Sequence, residues 1–92
     1  HYPLRRQRQM CIRDRVYILR CGDGTLYTGV STDVERRLKT HNAGRGAKYT
    51  RARLPVRVAY TAGMSRSEAL REENRIKSLT RAKKLMIIEE NS

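Results

Sequence analysis

The chain has no tryptophan and no phenylalanine, only two prolines and two cysteines among its 92 residues, and few acidic groups to set against its basic ones. Each shortage removes a class of protein. Without bulky apolar aromatics, and with no apolar run near the roughly 20 residues of a membrane span, neither a spanning helix nor a membrane-surface helix is written here. Cys11 and Cys21 are too few and too isolated for a disulfide framework or a zinc site, which makes a reducing cytoplasmic setting the expectation. Aspartate and glutamate number 9 against 21 lysines and arginines, so the formal net charge is +12. The excess runs along the whole chain, and such a field attracts polyanions, nucleic acid first among them.

What is present suffices for one compact domain with a modest core. No internal repeat or low-complexity tract appears. Residues 1–15 stand apart: five arginines against one aspartate, neither structural period, and no apolar core of a secretory signal. They read either as a basic arm that tracks phosphates or, as preferred here, as a leader outside the domain, which then occupies residues 16–92.

Val16 to Cys21 is rich in β-formers, Gly22-Asp23-Gly24-Thr25 supplies a turn, and Leu26 to Ser31 returns as a second strand. With odd positions paired to odd, Tyr17, Leu19, Tyr27 and Gly29 share one face, both phenols point into the same space, and the bare Gly29 leaves room for backbone or ligand. Thr32 with Glu35 reads as a capping box opening a helix on which Val34, Leu38 and His41 form one stripe with Arg37 on its flank. Asn42-Ala43-Gly44 closes it. Arg45 to Arg53 reads as a flexible basic loop with Tyr49 in its middle, and Lys48, Tyr49 and Arg51 are its candidate nucleic-acid contacts. Pro55 to Tyr60 alternates as a third, edge strand. Ser65 with Glu68 opens a second helix carrying Leu70, Glu73 and Ile76 on one stripe. Thr80 breaks the pattern before a last amphipathic helix, Ala82 to Glu90, with Leu85, Met86 and Ile88 inward. The fold class is therefore α/β in the α+β sense, a small antiparallel sheet of about three strands flanked by helices.

Taken singly, each polar residue has an ordinary explanation: half-buried strand tyrosines, a helix-end histidine, a surface arginine. Glu73 is harder to dismiss. A carboxylate on the core side of its helix costs free energy unless it meets a cation, whereas Glu72 points elsewhere and reads as solvated.

Taken together, the order and spacing resemble the GIY-YIG endonuclease superfamily from about Val16 to Lys84. Val16-Tyr17-Ile18 and Tyr27-Thr28-Gly29 stand at its two strand motifs. Arg36 to Asn42 is similar to its arginine helix, and Ala69 to Glu73 to its metal-carboxylate helix. His41 to Thr50 followed by Pro55 is similar to a small stand-alone bacterial branch and to structure-specific repair endonucleases. Arg15 departs from a frequent glycine, and Val16 replaces isoleucine. The resemblance implies the GIY-YIG nuclease fold and a phosphodiesterase that cuts nucleic acid, DNA in preference to RNA, with one Mg²⁺ or Mn²⁺. Glu73 would hold the metal, Arg37 would brace the phosphate, Tyr17 helped by His41 would take the proton of the attacking water, and Tyr27 would orient water or phosphate. The opposing reading is a non-catalytic nucleic-acid-binding module on the same fold, and a weaker one is a small ribosome-associated protein. So small a domain has little surface for sequence readout, so specificity would rest on substrate shape, ends or single strands, or on a protein partner.

Overall fold

A computed structural model describes residues 14–91. Its first strand, β1, spans Asp14–Arg20 and so begins two residues before the Val16 start that the sequence pattern suggests. Arg15 is already paired, with Ser31 on one side and Gly63 on the other, so Asp14 and Arg15 belong to the sheet. The rest of the basic leader, Cys11 included, lies outside the described residues.

The chain turns at Gly24 (φ 88°), where Cys21 N–H donates to Thr25 C=O at 2.8 Å, and returns as β2, Leu26–Ser31. Tyr17 faces Gly29 and Leu19 faces Tyr27, the odd-to-odd register that puts both phenols on one face. On the other side of β1 runs β3, Arg57–Met64, also antiparallel, giving the strand order β2-β1-β3. This strand lies later than the Pro55 to Tyr60 pattern indicates. Pro55 has no N–H for the ladder, and both backbone groups of Val56 are engaged elsewhere, its N–H donating to Asn42 Oδ1 (2.8 Å) and its C=O accepting from Asn42 Nδ2 (3.0 Å).

Helix α1, Val34–Asn42, is capped by Asp33 rather than Thr32: the Asp33 carboxylate accepts the Arg36 N–H at 3.1 Å, three residues on, as an N-cap must. The helix ends at Gly44 (φ 79°). The expected loop then contains a single helical turn, α2, Lys48–Arg51, because Ala47 C=O accepts the N–H groups of both Thr50 and Arg51. Helix α3, Arg66–Lys77, carries the full Ser65/Glu68 capping box. Thr80 breaks the pattern by capping α4, Arg81–Glu90.

Packing divides by strand face. Val16 and Ile18 join Ala69, Ile76 and Ile88 in an aliphatic core, flanked by Leu85 and Ile87. Tyr17 and Leu19 join Cys21 and Val56, flanked by Tyr27, Val34 and Leu38. Two expectations about the helices need correction. Met86 is 58% exposed and Leu70 43%, so the inward stripe of α3 is Ala69, Glu73 and Ile76, and α4 turns Leu85, Ile87 and Ile88 to the core. Among the described residues no helix is long and apolar enough to cross a membrane.

Candidate active site

The phenol of Tyr17 is 2% exposed, and its Oη lies 3.4 Å from Nε2 of His41, which is fully buried. Two glycines make that approach feasible. A Cβ on Gly29 would sit 2.5 Å from Tyr17 Oη, and one on Gly46 would overlap the His41 ring at Nδ1. The space left by Gly29 is thus filled by the tyrosine opposite. Tyr27, one strand over, meets the His41 ring edge-on at a centroid distance of 5.3 Å and stacks on Tyr49 at 5.9 Å. Arg53 lies over the Tyr49 ring, 4.1 Å from its centroid, and completes the column.

Arg37 comes from the outer flank of α1 and is exposed, yet its positive charge acts on the Tyr17 hydroxyl. Burial raises the Tyr17 phenol above its ordinary 10.0, an effect that Arg37 partly offsets and that the Tyr27 and Glu73 charges reinforce. Burial also holds His41 below its ordinary 6.5, and the Arg37 charge adds to this. At neutral pH the pair is therefore a protonated phenol facing a neutral imidazole. Its second nitrogen, Nδ1, meets Thr50 Oγ1 at 2.7 Å.

Glu73 occupies the inner stripe of α3 with its side chain 19% exposed, and the cation it needs is Lys77, whose Nζ lies 2.9 Å from Oε2. Glu72 differs: it is taken up by Arg75 in a two-pronged contact of 2.6 and 2.9 Å. Among the described residues no group of three or more His, Cys, Asp or Glu gathers in one place. The donor set is thus one partly buried carboxylate whose charge reaches Tyr17. That set does not suit zinc, but it fits a hard cation that keeps most of its waters and takes further oxygens from a phosphate.

The structure brings Tyr17, Tyr27, Arg37 and His41 together and couples Glu73 to Tyr17 electrostatically. Of the three candidate nucleic-acid contacts, Tyr49 reaches the cluster through Tyr27, while Lys48 and Arg51 line an open depression beside it. Sequence reasoning missed Thr50, Gly46, Lys77 and Lys84. The last two line a cleft of about 290 Å³ along β2 with Leu26, Tyr27, Thr28 and Tyr49. Gly46 lies in an irregular loop and Thr50 on the single turn α2, both too short for a period to mark them.

Residues 15–86 match the GIY-YIG catalytic domain. The chain belongs to the GIY-YIG family. It is 56% identical over 77 residues to a UPF0213 protein of Streptococcus agalactiae, a match covering 83% of this chain and 88% of that one. A UPF0213 protein of Halobacterium salinarum is 59% identical over 70 residues, 75% of this chain and 91% of its own. Among solved structures, the solution NMR structure of a UPF0213 protein from Bacillus halodurans is similar with a TM-score of 0.55 and 49% identity, covering 83% and 82% of the two chains. The three-stranded sheet with flanking helices is thus the GIY-YIG fold, and its family is one of nuclease-type catalytic domains.

Proposed function

We propose that this GIY-YIG domain hydrolyses phosphodiester bonds in nucleic acid with the help of one divalent cation, and that DNA is its substrate. One observation carries the reading: a buried phenol, within the field of an exposed arginine and of a carboxylate, faces a neutral buried imidazole. A binding surface has no use for that arrangement.

Arg37, a donor-only fork open to solvent, braces the non-bridging phosphate oxygens where negative charge accumulates. Tyr17 takes the proton of the attacking water as its own passes to His41, since a phenol that stays protonated at neutral pH cannot accept one otherwise. Tyr27, fixed between His41 and Tyr49, orients the water or phosphate. Glu73 would hold Mg²⁺ or Mn²⁺, which when bound neutralises charge at the leaving oxygen. Lys48 and Arg51 on one side of Tyr49, and Lys77 and Lys84 on the other, provide the basic track for the strand. Resemblance to repair endonucleases supports DNA as the substrate.

The test is incubation of the protein, with Mn²⁺ and with EDTA, against branched, nicked and single-stranded DNA and the corresponding RNA. Cleavage of DNA with Mn²⁺ that EDTA abolishes is the expected result. Binding without cleavage under every condition would establish the non-catalytic module instead, and cleavage of RNA alone would overturn the choice of DNA.

A further inference from the structure

We infer that Thr50 is a positioning residue that holds His41 in the tautomer with its proton on Nδ1, leaving Nε2 bare to receive the proton of Tyr17. This deepens the nuclease reading above and serves catalysis only if Tyr17 takes the proton of the water.

Counting protons from both ends of the ring gives the same answer. Thr50 is fully buried, and its Oγ1 lies 2.7 Å from His41 Nδ1 and 3.0 Å from Ala47 O. A hydroxyl has one proton to donate, and a carbonyl only accepts. Given to Ala47, that proton leaves Thr50 Oγ1 an acceptor toward the imidazole, so Nδ1 must carry hydrogen. At the other end, the buried Tyr17 hydroxyl has one proton to donate, and the Arg37 guanidinium whose charge it feels has no acceptor for it. The Tyr17 proton then needs an acceptor of its own, and His41 Nε2 is 3.4 Å away. A neutral imidazole carries one N–H, so a bare Nε2 again places it on Nδ1. The donors then run in one direction, from Tyr17 through His41 and Thr50 to Ala47, and each polar proton has its acceptor. In the opposite tautomer Nε2–H points at Tyr17 Oη, and the phenol proton has nowhere to go.

The step balances. The water oxygen forms its bond to phosphorus, the water O–H breaks, and the proton goes to Tyr17 Oη as the phenol proton goes to His41 Nε2. The phosphorus bond to the leaving oxygen breaks, and that oxygen takes a proton from solvent. The imidazolium keeps Nδ1–H on Thr50 and returns the other proton through Tyr17 to solvent before the next turnover.

Long-range ¹H–¹⁵N correlation spectra of the full chain at neutral pH read the tautomer directly. The chain has two histidines, and His41→Gln identifies the His41 signals by their loss. The wild type should show a protonated Nδ1 and a bare Nε2. Thr50→Val, which keeps the shape but removes the acceptor, should move the ring toward Nε2–H and lower kcat about tenfold to hundredfold at constant KM, while Thr50→Ser restores both. A wild-type ring protonated on Nε2 overturns the inference, as does a Thr50→Val ring that keeps Nδ1–H. Should Thr50→Val fail to fold, the wild-type and Thr50→Ser spectra decide alone. A protein with the Nδ1–H ring that cuts no nucleic acid would uphold the tautomer and tell against the nuclease reading only.

Discussion

On one face of β1, Val16 and Ile18 pack with Ala69, Ile76 and Ile88, all of them hydrocarbon side chains. On the other face Tyr17 lies between them in sequence, yet its hydroxyl meets an imidazole and feels the Arg37 charge. The alternation of a strand lets one heptapeptide turn Val16 and Ile18 to the aliphatic core and Tyr17 to the polar cluster. The division is not confined to the sheet, because α3 repeats it along one stripe, with Glu73 set between the buried Ala69 and Ile76. Stability and chemistry are therefore neighbours at one-residue spacing but separable by substitution.

The largest separation is expected on α3. Glu73→Gln should lower cleavage by about a thousandfold or more, some 4 kcal/mol of barrier, while affinity for nucleic acid changes little because no positive charge is lost. The Lys77 pair it breaks is half exposed at the lysine, so the loss of stability should stay below about 1 kcal/mol. Glu72→Gln should leave turnover near wild type, since Glu72 is engaged with Arg75 on the surface. Single-turnover cleavage beside urea unfolding reads both effects, and a Glu73→Gln enzyme within a few-fold of wild type would remove Glu73 from the site.

Ile18→Ala tests the other face. It empties a fully buried position and should cost about 2–5 kcal/mol of unfolding free energy, with the activity of the molecules that remain folded nearly unchanged. If turnover per folded molecule falls in proportion to stability, the two faces are mechanically coupled and the separation fails.

Gly29→Ala should blur the division, and by a smaller amount. The new Cβ meets Tyr17 Oη at 2.5 Å, so the phenol must move, costing about 1–3 kcal/mol in overpacking and shifting the hydroxyl away from His41. Tyr17→Phe in the same background removes the nearest clashing atom but leaves ring carbon Cζ at 2.7 Å, so it should recover stability only in part and cleavage not at all. No recovery of stability would mean that Gly29 makes room for the ring or the backbone and not for the hydroxyl.

The alternation is why so much of this was legible in advance. Period two put Tyr17, Leu19, Tyr27 and Gly29 on one face, and helical spacing put His41 under them, as the register and packing show. Errors arose where a local rule had two near-equal solutions. Thr32 and Asp33 are both good caps, and the carboxylate at Asp33 wins because Arg36 N–H lies three residues on. Pro55 and Val56 look like strand residues, but the Asn42 side chain takes the Val56 backbone. Thr50 was illegible for a different reason, since it sits on the single turn α2, too short to show a period that would point it at His41.

The titration of His41 offers a finer comparison between the faces. Burial and the Arg37 charge hold its folded-state value below the ordinary 6.5, so on acidification the unfolded chain binds a proton that the folded one refuses. The stability associated with neutral His41 is complete above 6.5 and falls as the pH drops from there toward the folded-state value. Urea midpoints across that range should decline for the wild type and decline less for His41→Gln, with no such difference between the wild type and Ile18→Ala. Parallel curves for the wild type and His41→Gln would mean that the buried ring accepts its proton freely.

The smallest effect is expected at Met86, and it checks the orientation of α4. Apolar residues occupy 85 to 88 without a break, and a helix can turn only part of such a run inward. Leu85, Ile87 and Ile88 pack against the aliphatic core, which leaves Met86 58% exposed on the opposite side. Met86→Lys therefore removes little buried surface and should change unfolding free energy by no more than about 0.5 kcal/mol, whereas Ile88→Ala should cost several times as much. Added charge at position 86 is also remote from the polar cluster on the other side of the sheet, so cleavage should be unchanged. A Met86→Lys chain destabilised as severely as Ile88→Ala would mean that the helix is rotated toward the orientation with Leu85, Met86 and Ile88 inward.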